Sequence, residues 1–406
     1  MTDQATSARD AAFQALDDLS GGRIDRLDER FDRMRALDDR DAGLARELAL
    51  GAVRYQRLYD HLAARFLKRG PQPPPLMIAL RLACHQLFAL DRVPPHAAVH
   101  ETVESLRRAG HRKLVPVANA VMRRLSEMRQ DTRIGDGPLG RIAAEDQPDQ
   151  AAVRHSVPDR LLDDLRPVLP DGNEDALASL NLVPHLCTRT RPGRPQPSGA
   201  SVLKRDGALT WWDDPQEALR GPVADGICVV QDAAQGDVVR MSGARPGDLV
   251  LDCCSAPGGK AVALADRGCR VIAADLSIVK LRSMREPAIR LAQDGCAPAL
   301  AAGAFDVVLV DAPCSNSGVI ARRPEARWRY EPKQIASLER LQGALLRAGA
   351  ALVAPGGRLV YSTCSLVPRE NQAIAHRLVG WRLLMEQLSW PDAWRGGGYV
   401  AVLVRS

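Results

Sequence analysis

Two cysteines stand directly after apolar runs, at positions where a thiol can do chemistry. Cys314 follows the run Phe-Asp-Val-Val-Leu-Val that ends in Asp311, and Cys364 follows Gly-Arg-Leu-Val-Tyr-Ser-Thr. Both runs are typical of buried strands, and open α/β sheets place ligands at the carboxyl ends of such strands. A thiolate is a strong nucleophile. The pattern therefore predicts two reactive thiols that face one ligand crevice.

A third segment, residues 248–275, predicts a cofactor at the same crevice. An apolar run near Asp252, a Pro-Gly-Gly turn, a helical pattern and a second apolar run ending in Asp275 are typical of one β-α-β unit. Glycine lets the backbone come close to a ligand, and an acid at this offset reaches a ribose hydroxyl in dinucleotide folds. The segment lacks the G-x-G-x-x-G of NAD enzymes and the Walker loop of ATPases. On pattern alone, Pro-Gly-Gly is equally typical of a plain turn.

Three motifs together carry a resemblance to a known family. They are Cys-Ser-Ala-Pro-Gly-Gly-Lys at 254–260, Asp-Ala-Pro-Cys-Ser at 311–315 and Ser-Thr-Cys-Ser at 362–365. In this order they resemble the RNA cytosine-C5 methyltransferases, which use S-adenosylmethionine. Residues 47–55 and 93–104 resemble the NusB-like amino-terminal domain of the RsmB/Sun branch, which modifies small-subunit (16S) ribosomal RNA. The resemblance covers most of the chain.

This resemblance implies the roles of four catalytic residues. Cys364 would add to C6 of a cytosine, and Cys314 would promote release of the enzyme after methyl transfer. Asp311 would bind the N3/N4 edge of the base and stabilise its protonated ring. Lys260 would help to hold a nearby thiol deprotonated.

The same resemblance implies an S-adenosylmethionine site around the Pro-Gly-Gly turn. Backbone N–H groups of the turn would surround the methionine part, and Asp275 would bind the ribose. The family also has a strand that ends in Gly-Asp, whose acid meets the adenine. That motif is missing near residues 290–303, so we expect a short edge strand and an adenine without its acidic partner. The residues expected to bind the cofactor are Cys254, Ser255, Ala256, Pro257, Gly258, Gly259, Lys260, Asp275 and Asp311.

The expected fold is multidomain: an all-α NusB-like helical bundle, then a Rossmann-like α/β methyltransferase with a mostly parallel, doubly wound sheet. Within the bundle, residues 75–90 are apolar nearly all round and predict its central helix, which Pro94-Pro95 separates from the next. Strands are predicted near 186–190, 208–213 and 226–231. The predicted segments are a helical RNA-binding domain (1–133), a Gly/Pro-rich linker (134–150), a small α/β RNA-binding module (151–225) and the methyltransferase domain (226–406).

Two basic stretches are candidate RNA contacts. Residues 101–133 carry eight Arg or Lys against four Asp or Glu, which fits either a phosphate-binding face or a solvated helix surface. Residues 322–330 contain four arginines, Trp328 and Tyr330, which suit a phosphate and base contact or an ordered surface loop.

Composition is compatible with an anionic partner, since the formal net charge is +6 among 406 residues. The sequence shows no signal peptide, no apolar run of membrane length and no metal-type Cys/His spacing. We therefore expect a cytoplasmic monomer with nine reduced cysteines, no membrane contact and no metal.

Two alternative functions remain open on the sequence. One keeps the chemistry and changes the substrate to transfer RNA. The other is a non-catalytic RNA-binding ribosome-assembly factor whose cofactor pocket has decayed, because of the missing acidic motif.

Overall fold

The computed structural model describes residues 7–31, 37–133, 137–284 and 289–406. Contacts between residues divide the chain into two compact units. The first comprises Met1–Leu162 and the segment Arg323–Trp328, and the second comprises Asp163–Arg322 and Arg329–Ser406. Residues 1–6 of the predicted amino-terminal domain and residues 134–136 of the predicted linker lie outside the described residues.

The first unit is a helical bundle, as predicted. The expected central helix is confirmed as α5, which continues into a π-helical turn over His85–Ala89. Because its residues are apolar on several faces, α5 contacts α1, α3, α4, α6 and α7. Pro95 is the first residue of α6. A backbone N–H at this position has no acceptor within the helix, so the lack of an N–H in proline costs no hydrogen bond there. The helices are α1 (Ala8–Ser20), α2 (Asp28–Phe31), α3 (Asp39–Arg54), α4 (Gln56–Ala64), α5 (Pro74–Cys84), α6 (Pro95–Arg108), α7 (Val115–Glu127) and α8 (Ala151–Arg154).

Residues 137–150, inside the predicted linker, belong to this first unit. Their glycine and proline residues form short turns, among them the 3-10 helix Pro138–Arg141. Ile142 is 2% exposed and joins the apolar core of the bundle. The domain boundaries at 133, 150 and 225 remain predictions.

The second unit begins with a small antiparallel sheet in the order β2-β3-β1-β4. The three strands predicted from the sequence are confirmed as β1, β3 and β4, and β2 is additional. Helix α9 (Asp159–Leu165) spans the division between the two units. The elements that follow it are β1 (Leu186–Thr190), β2 (Val202–Asp206), β3 (Leu209–Trp212), α10 (Pro215–Ala218) and β4 (Cys228–Val230).

The larger sheet has seven strands in the order β10-β11-β9-β8-β5-β6-β7. It is mostly parallel, with β10 and β11 joined antiparallel at one edge. The expected short edge strand is confirmed, since β7 has four residues. The strands are β5 (Leu249–Cys253), β6 (Arg270–Asp275), β7 (Ile289–Ala292), β8 (Phe305–Asp311), β9 (Val353–Thr363), β10 (Trp381–Ser389) and β11 (Gly398–Arg405).

Helices cover both faces of this sheet, which confirms the doubly wound fold. One apolar cluster joins the sheet to α14, and a second joins its other face to α11, α12 and α13. These helices are α11 (Ala233–Met241), α12 (Gly259–Asp266), α13 (Ile278–Ser283), α14 (Pro332–Leu352) and α15 (Gln372–Ala375). Among the described residues, no helix combines the length and apolar character that a membrane crossing requires.

Candidate active site

The carboxyl ends of four neighbouring parallel strands form the candidate site. Asp252 lies near the end of β5, whereas Asp275, Asp311 and Thr363 end β6, β8 and β9. The strand order reverses between β5 and β8, and such a switch point leaves a crevice beyond the strand ends. The charged and sulfur-bearing side chains therefore meet because of strand topology.

The two cysteines predicted to be reactive lie side by side. The Sγ atoms of Cys314 and Cys364 are 3.1 Å apart, and the Cys364 thiol donates to the side-chain oxygen of Asn316 at 3.2 Å. The hydrogen bond with Cys364, burial and the Glu370 carboxylate together raise the pKa of Cys314 well above its ordinary value. Cys314 is accordingly the thiol that keeps its proton.

Lys260 and Asp311 form an ion pair beside the thiols. Lys260 lies in the first turn of α12, is 9% exposed, and donates to Asp311 Oδ2 at 2.6 Å. The Ser362 hydroxyl donates to the other oxygen, Asp311 Oδ1, at 2.8 Å. Burial opposes the ammonium charge, but the Asp311 and Asp252 carboxylates outweigh it and raise the pKa of Lys260.

The Pro-Gly-Gly turn is held by the acids at the strand ends. Gly258 has φ +99, in the left-handed region that favours glycine, and α12 begins directly after it. Asp275 accepts the backbone N–H of Ala256 at 3.2 Å through Oδ2. The Ser255 hydroxyl donates to Asp252 Oδ2 at 2.8 Å.

Asp252 is a second buried carboxylate in this site. It is 1% exposed, and its Oδ1 has no hydrogen-bond partner in the structure. Burial and the neighbouring Asp311 carboxylate raise the pKa of Asp252 to about 7.

A cavity of about 140 Å³, here named the Cys364 cavity, opens onto these groups. Lys260, Asp311 and Cys364 line it, together with Asp232 and Arg322. Arg322 donates to Asp232 Oδ2 at 2.6 Å, so the cavity has a second ion pair in its wall. Its lining combines a nucleophile, a carboxylate and cations.

A second cavity, of about 110 Å³ and here named the Asp275 cavity, lies at the ends of β6 and β7. Asp275, Cys254, Gln293 and Asp294 line it. The Gly-Asp motif is absent, as the sequence shows, but Asp294 follows β7 after Gln293 and lines this cavity, so an acid lies at the end of the third strand. Both polar atoms of the Gln293 amide are buried without a partner, which leaves a donor and an acceptor available to a ligand.

The predicted cofactor residues divide between these places. Cys254 and Asp275 line the Asp275 cavity, and Lys260 and Asp311 line the Cys364 cavity. The other residues predicted to bind the cofactor lie in the segment that connects β5 to the start of α12: Ser255, Ala256, Pro257, Gly258 and Gly259.

The predicted RNA contact at residues 322–330 is wrong for Arg327 and Trp328. Arg327 is 1% exposed and donates to the backbone carbonyls of Arg54 and Ser156 at 3.0 and 3.1 Å. Trp328 Nε1 donates to the carbonyl of Val53 at 2.8 Å. These side chains are structural parts of the first unit, so they are not free for phosphate or base.

Sequence reasoning missed three functional candidates in the second unit. Gln293 stands where a glycine was expected, and Asp232 lines the Cys364 cavity although no sequence motif singled it out. Glu370 is fully buried beneath the cysteines. It lies in a polar Pro-Arg-Glu-Asn stretch, and no local pattern there indicates a buried carboxylate.

Comparisons with known proteins agree with this architecture. A family model described as 16S rRNA methyltransferase RsmB/F matches residues 241–387, and a NusB family model matches residues 6–127. The "Probable ribosomal RNA small subunit methyltransferase B" of Synechocystis sp. is 31% identical, with 95% of this chain and 92% of the relative covered. Ribosomal RNA small subunit methyltransferase B of Salmonella paratyphi B is also 31% identical, over 82% and 81% of the two chains. The crystal structure of PH0851 shares the fold, with a TM-score of 0.74 at 20% identity over the whole of both chains. The chain therefore belongs to the RsmB family of small-subunit ribosomal RNA methyltransferases.

Proposed function

We propose that this protein transfers a methyl group from S-adenosylmethionine to C5 of a cytosine in small-subunit ribosomal RNA, through a covalent cysteine adduct at C6. The observation that carries the proposal is the pair of thiols 3.1 Å apart, one of which shares a cavity with the Lys260–Asp311 ion pair. A nucleophilic thiol beside a second thiol suits covalent attack on the base followed by release of the enzyme.

The target atom explains the need for a nucleophile. C5 of cytosine is itself a poor nucleophile, and a thiolate that adds to C6 converts the ring into an enamine. C5 then has the electron density to take up a methyl group, and one hard step becomes two easier ones.

We assign the nucleophile to Cys364. Cys364 lines the cavity with Lys260 and Asp311, and a thiolate formed at Cys364 would add to the negative charges that raise the pKa of Lys260. The lysine ammonium thus faces the thiolate and balances its charge. Cys314, whose pKa is raised by its neighbours, donates to Cys364 as a neutral thiol.

We assign release to Cys314. Once Cys364 is bonded to the base, Cys314 loses both the hydrogen bond and the charge that raise its pKa. Its thiol then gives its proton to solvent more easily, and the resulting thiolate accepts the C5 proton while the C6–S bond breaks and Cys364 leaves as a thiolate. The two cysteines thereby act in sequence.

Asp311 suits recognition of the base. Its two oxygens accept hydrogen bonds from Lys260 and Ser362, and these bonds fix the orientation of the carboxylate. A fixed carboxylate in this cavity favours the protonated N3/N4 edge of the adduct electrostatically.

The Asp275 cavity suits the methyl donor. Asp275 is the candidate partner of the ribose, and Gln293 and Asp294 offer the donor and acceptors that an adenine edge requires. S-adenosylmethionine, when bound, supplies a methyl group on a positively charged sulfur. The Asp275 carboxylate, which lines this cavity, gives this side of the site the opposite charge.

The RNA class follows from the relatives and the charge. The relatives are named for small-subunit ribosomal RNA, and the net charge of +6 suits a polyanion. Nothing in the described residues favours transfer RNA, and Asp294, which lines the Asp275 cavity, argues against a decayed cofactor pocket. Ribosomal RNA and nine free thiols are both consistent with a cytoplasmic protein.

Mass mapping of methylated cytosines tests the proposal. Wild-type protein with S-adenosylmethionine is expected to add one methyl group to naked small-subunit RNA and none to transfer RNA. Cys364→Ala is expected to abolish transfer, whereas Cys296→Ala, which changes a cysteine outside the Cys364 cavity, keeps it. Full activity in Cys364→Ala contradicts the assigned nucleophile, and methylation of transfer RNA alone contradicts the substrate.

A further inference from the structure

Glu370 is a fully buried carboxylate that accepts only from donors on the cysteine-bearing segments and α14. It is 0% exposed. Its Oε1 accepts the backbone N–H of Ser315 at 2.8 Å and the side-chain amide of Gln342 at 3.0 Å. Its Oε2 accepts the hydroxyls of Ser315 at 2.5 Å and Ser365 at 2.6 Å. Four donors therefore converge on one carboxylate.

These donors are the direct neighbours of the two reactive thiols. Ser315 follows Cys314, and Ser365 follows Cys364. The Glu370 side chain thus bridges the segments that carry Cys314 and Cys364, and these two cysteines are 50 residues apart in the chain. Moving the carboxylate would release both segments at once.

The opposite flanks of the cysteines are held by Gln342, a partner of Glu370, and by Asn371, which follows Glu370 in the chain. Gln342 also donates to the carbonyl of Pro313 at 2.9 Å, on the other side of Cys314. Asn371 accepts the Thr363 hydroxyl at 2.6 Å and donates to the Ser365 carbonyl at 2.9 Å. Each cysteine is consequently fixed on both sides by one connected network of hydrogen bonds.

We propose that Glu370 is a positioning residue that holds Cys314 and Cys364 at reacting distance and places a negative charge beside Cys314. This inference rests on the proposed function of the two thiols. Glu370 does not line the Cys364 cavity, so it acts through the cysteines rather than on the substrate.

The charge of Glu370 has a measurable consequence. A carboxylate near a thiol disfavours the thiolate, and Glu370 is one of the groups that raise the pKa of Cys314. Replacing it by glutamine keeps the size, removes the charge and lets the two serine hydroxyls turn to accept the new amide. The Cys314 thiol is then expected to ionise at lower pH.

The test measures thiol alkylation in Glu370→Gln without any RNA. Iodoacetamide reacts with thiolates, and mass spectrometry follows Cys314 and Cys364 separately as pH is raised. The midpoint for Cys314 is expected to fall by about one pH unit relative to wild type. The control is Glu339→Gln, which removes a carboxylate bound to the exposed Arg369 and leaves the network intact. It is expected to match wild type.

Steady-state methylation gives the second readout. Glu370→Gln is expected to lower kcat about tenfold and to leave KM for both substrates unchanged, because only the alignment and ionisation of the thiols change. An unchanged Cys314 midpoint together with wild-type kcat overturns the proposal, as does a change confined to KM.

A variant that keeps the carboxylate guards against simple misfolding. If Glu370→Gln does not fold, Ser315→Ala removes one hydroxyl donor beside Cys314 and is expected to lower kcat about threefold. Wild-type kcat in Ser315→Ala then overturns the proposal. Because alkylation needs no RNA, a shifted Cys314 midpoint with no methylation by the wild-type protein supports Glu370 and rejects the proposed function instead.

Discussion

Asp252→Asn is expected to stabilise the cofactor-free protein at pH 8 and to have little effect at pH 5. The Asp252 carboxyl is 1% exposed, its Oδ1 lacks a partner, and its pKa is raised to about 7 by burial and by Asp311. In the unfolded chain the same group has a pKa of about 3.9. The folded state therefore binds this proton more tightly than the unfolded state.

The sign follows from the difference in bound protons. Between about pH 4 and pH 7 the folded protein keeps the Asp252 proton and the unfolded chain loses it, so stability falls as pH rises through this window. Each pH unit in this window lowers the free energy of unfolding by about 1.4 kcal/mol, which amounts to about 3 kcal/mol between pH 5 and pH 7. Asparagine does not titrate, so the variant escapes this loss above pH 7.

Urea unfolding followed by tryptophan fluorescence measures the effect. Trp328 is the one tryptophan of the first unit, and the other five of the six lie in the second unit with Asp252, so the signal reports chiefly on that unit. The stability gained by Asp252→Asn is expected to be about 3 kcal/mol larger at pH 8 than at pH 5. Asp171→Asn, at an exposed turn, serves as the control. Equal effects of Asp252→Asn at both pH values would refute the reasoning, because they require a carboxyl that ionises alike when folded and unfolded.

Three further predictions concern other residues. Lys260→Met breaks the buried pair with Asp311, so kcat for methyl transfer is expected to fall about 100-fold, which corresponds to about 2.7 kcal/mol in the barrier; a wild-type kcat contradicts the role of the pair. Gln293→Leu removes two unpaired polar atoms, so calorimetry is expected to show a higher Tm for the cofactor-free protein and about tenfold weaker S-adenosylmethionine binding. Tighter binding would refute the assignment of the amide. Arg327→Met deprives backbone carbonyls of their donor and is expected to destabilise the first unit by about 3 kcal/mol in urea unfolding. The exposed Arg323→Met is the control, and equal stability of both variants contradicts a structural Arg327.

The sequence allowed the strand ends to be predicted because buried parallel strands are continuous apolar runs. Asp311, Cys314 and Cys364 follow such runs, and topology alone brings them to one edge. The contact between Lys260 and Asp311, 51 residues apart, depends on how the first turn of α12 lies against β8, which no local pattern encodes. The positions of the apolar runs therefore predicted where the site lies, but they did not predict which of its side chains form ion pairs with each other.

Where sequence reasoning failed, tertiary contacts overrode local composition. A run of arginines with a tryptophan is typical of a surface, yet Arg327 is buried because several backbone carbonyls accept its N–H groups. Asp294 was overlooked because Gln293 replaces the expected glycine. The role of Glu370 depends on the donors Ser315 and Gln342, which are 55 and 28 residues away in the chain, as well as on the nearby Ser365.

The central claim is that Cys364 attacks the base and Cys314 releases it. The most direct measurement mixes Cys314→Ala protein with S-adenosylmethionine and unmodified small-subunit RNA and separates the products on a denaturing gel. A protein–RNA adduct is expected to persist in this variant and to vanish in the double variant that also carries Cys364→Ala. An adduct that survives in the double variant, or methylation that turns over normally in Cys314→Ala, would contradict the account.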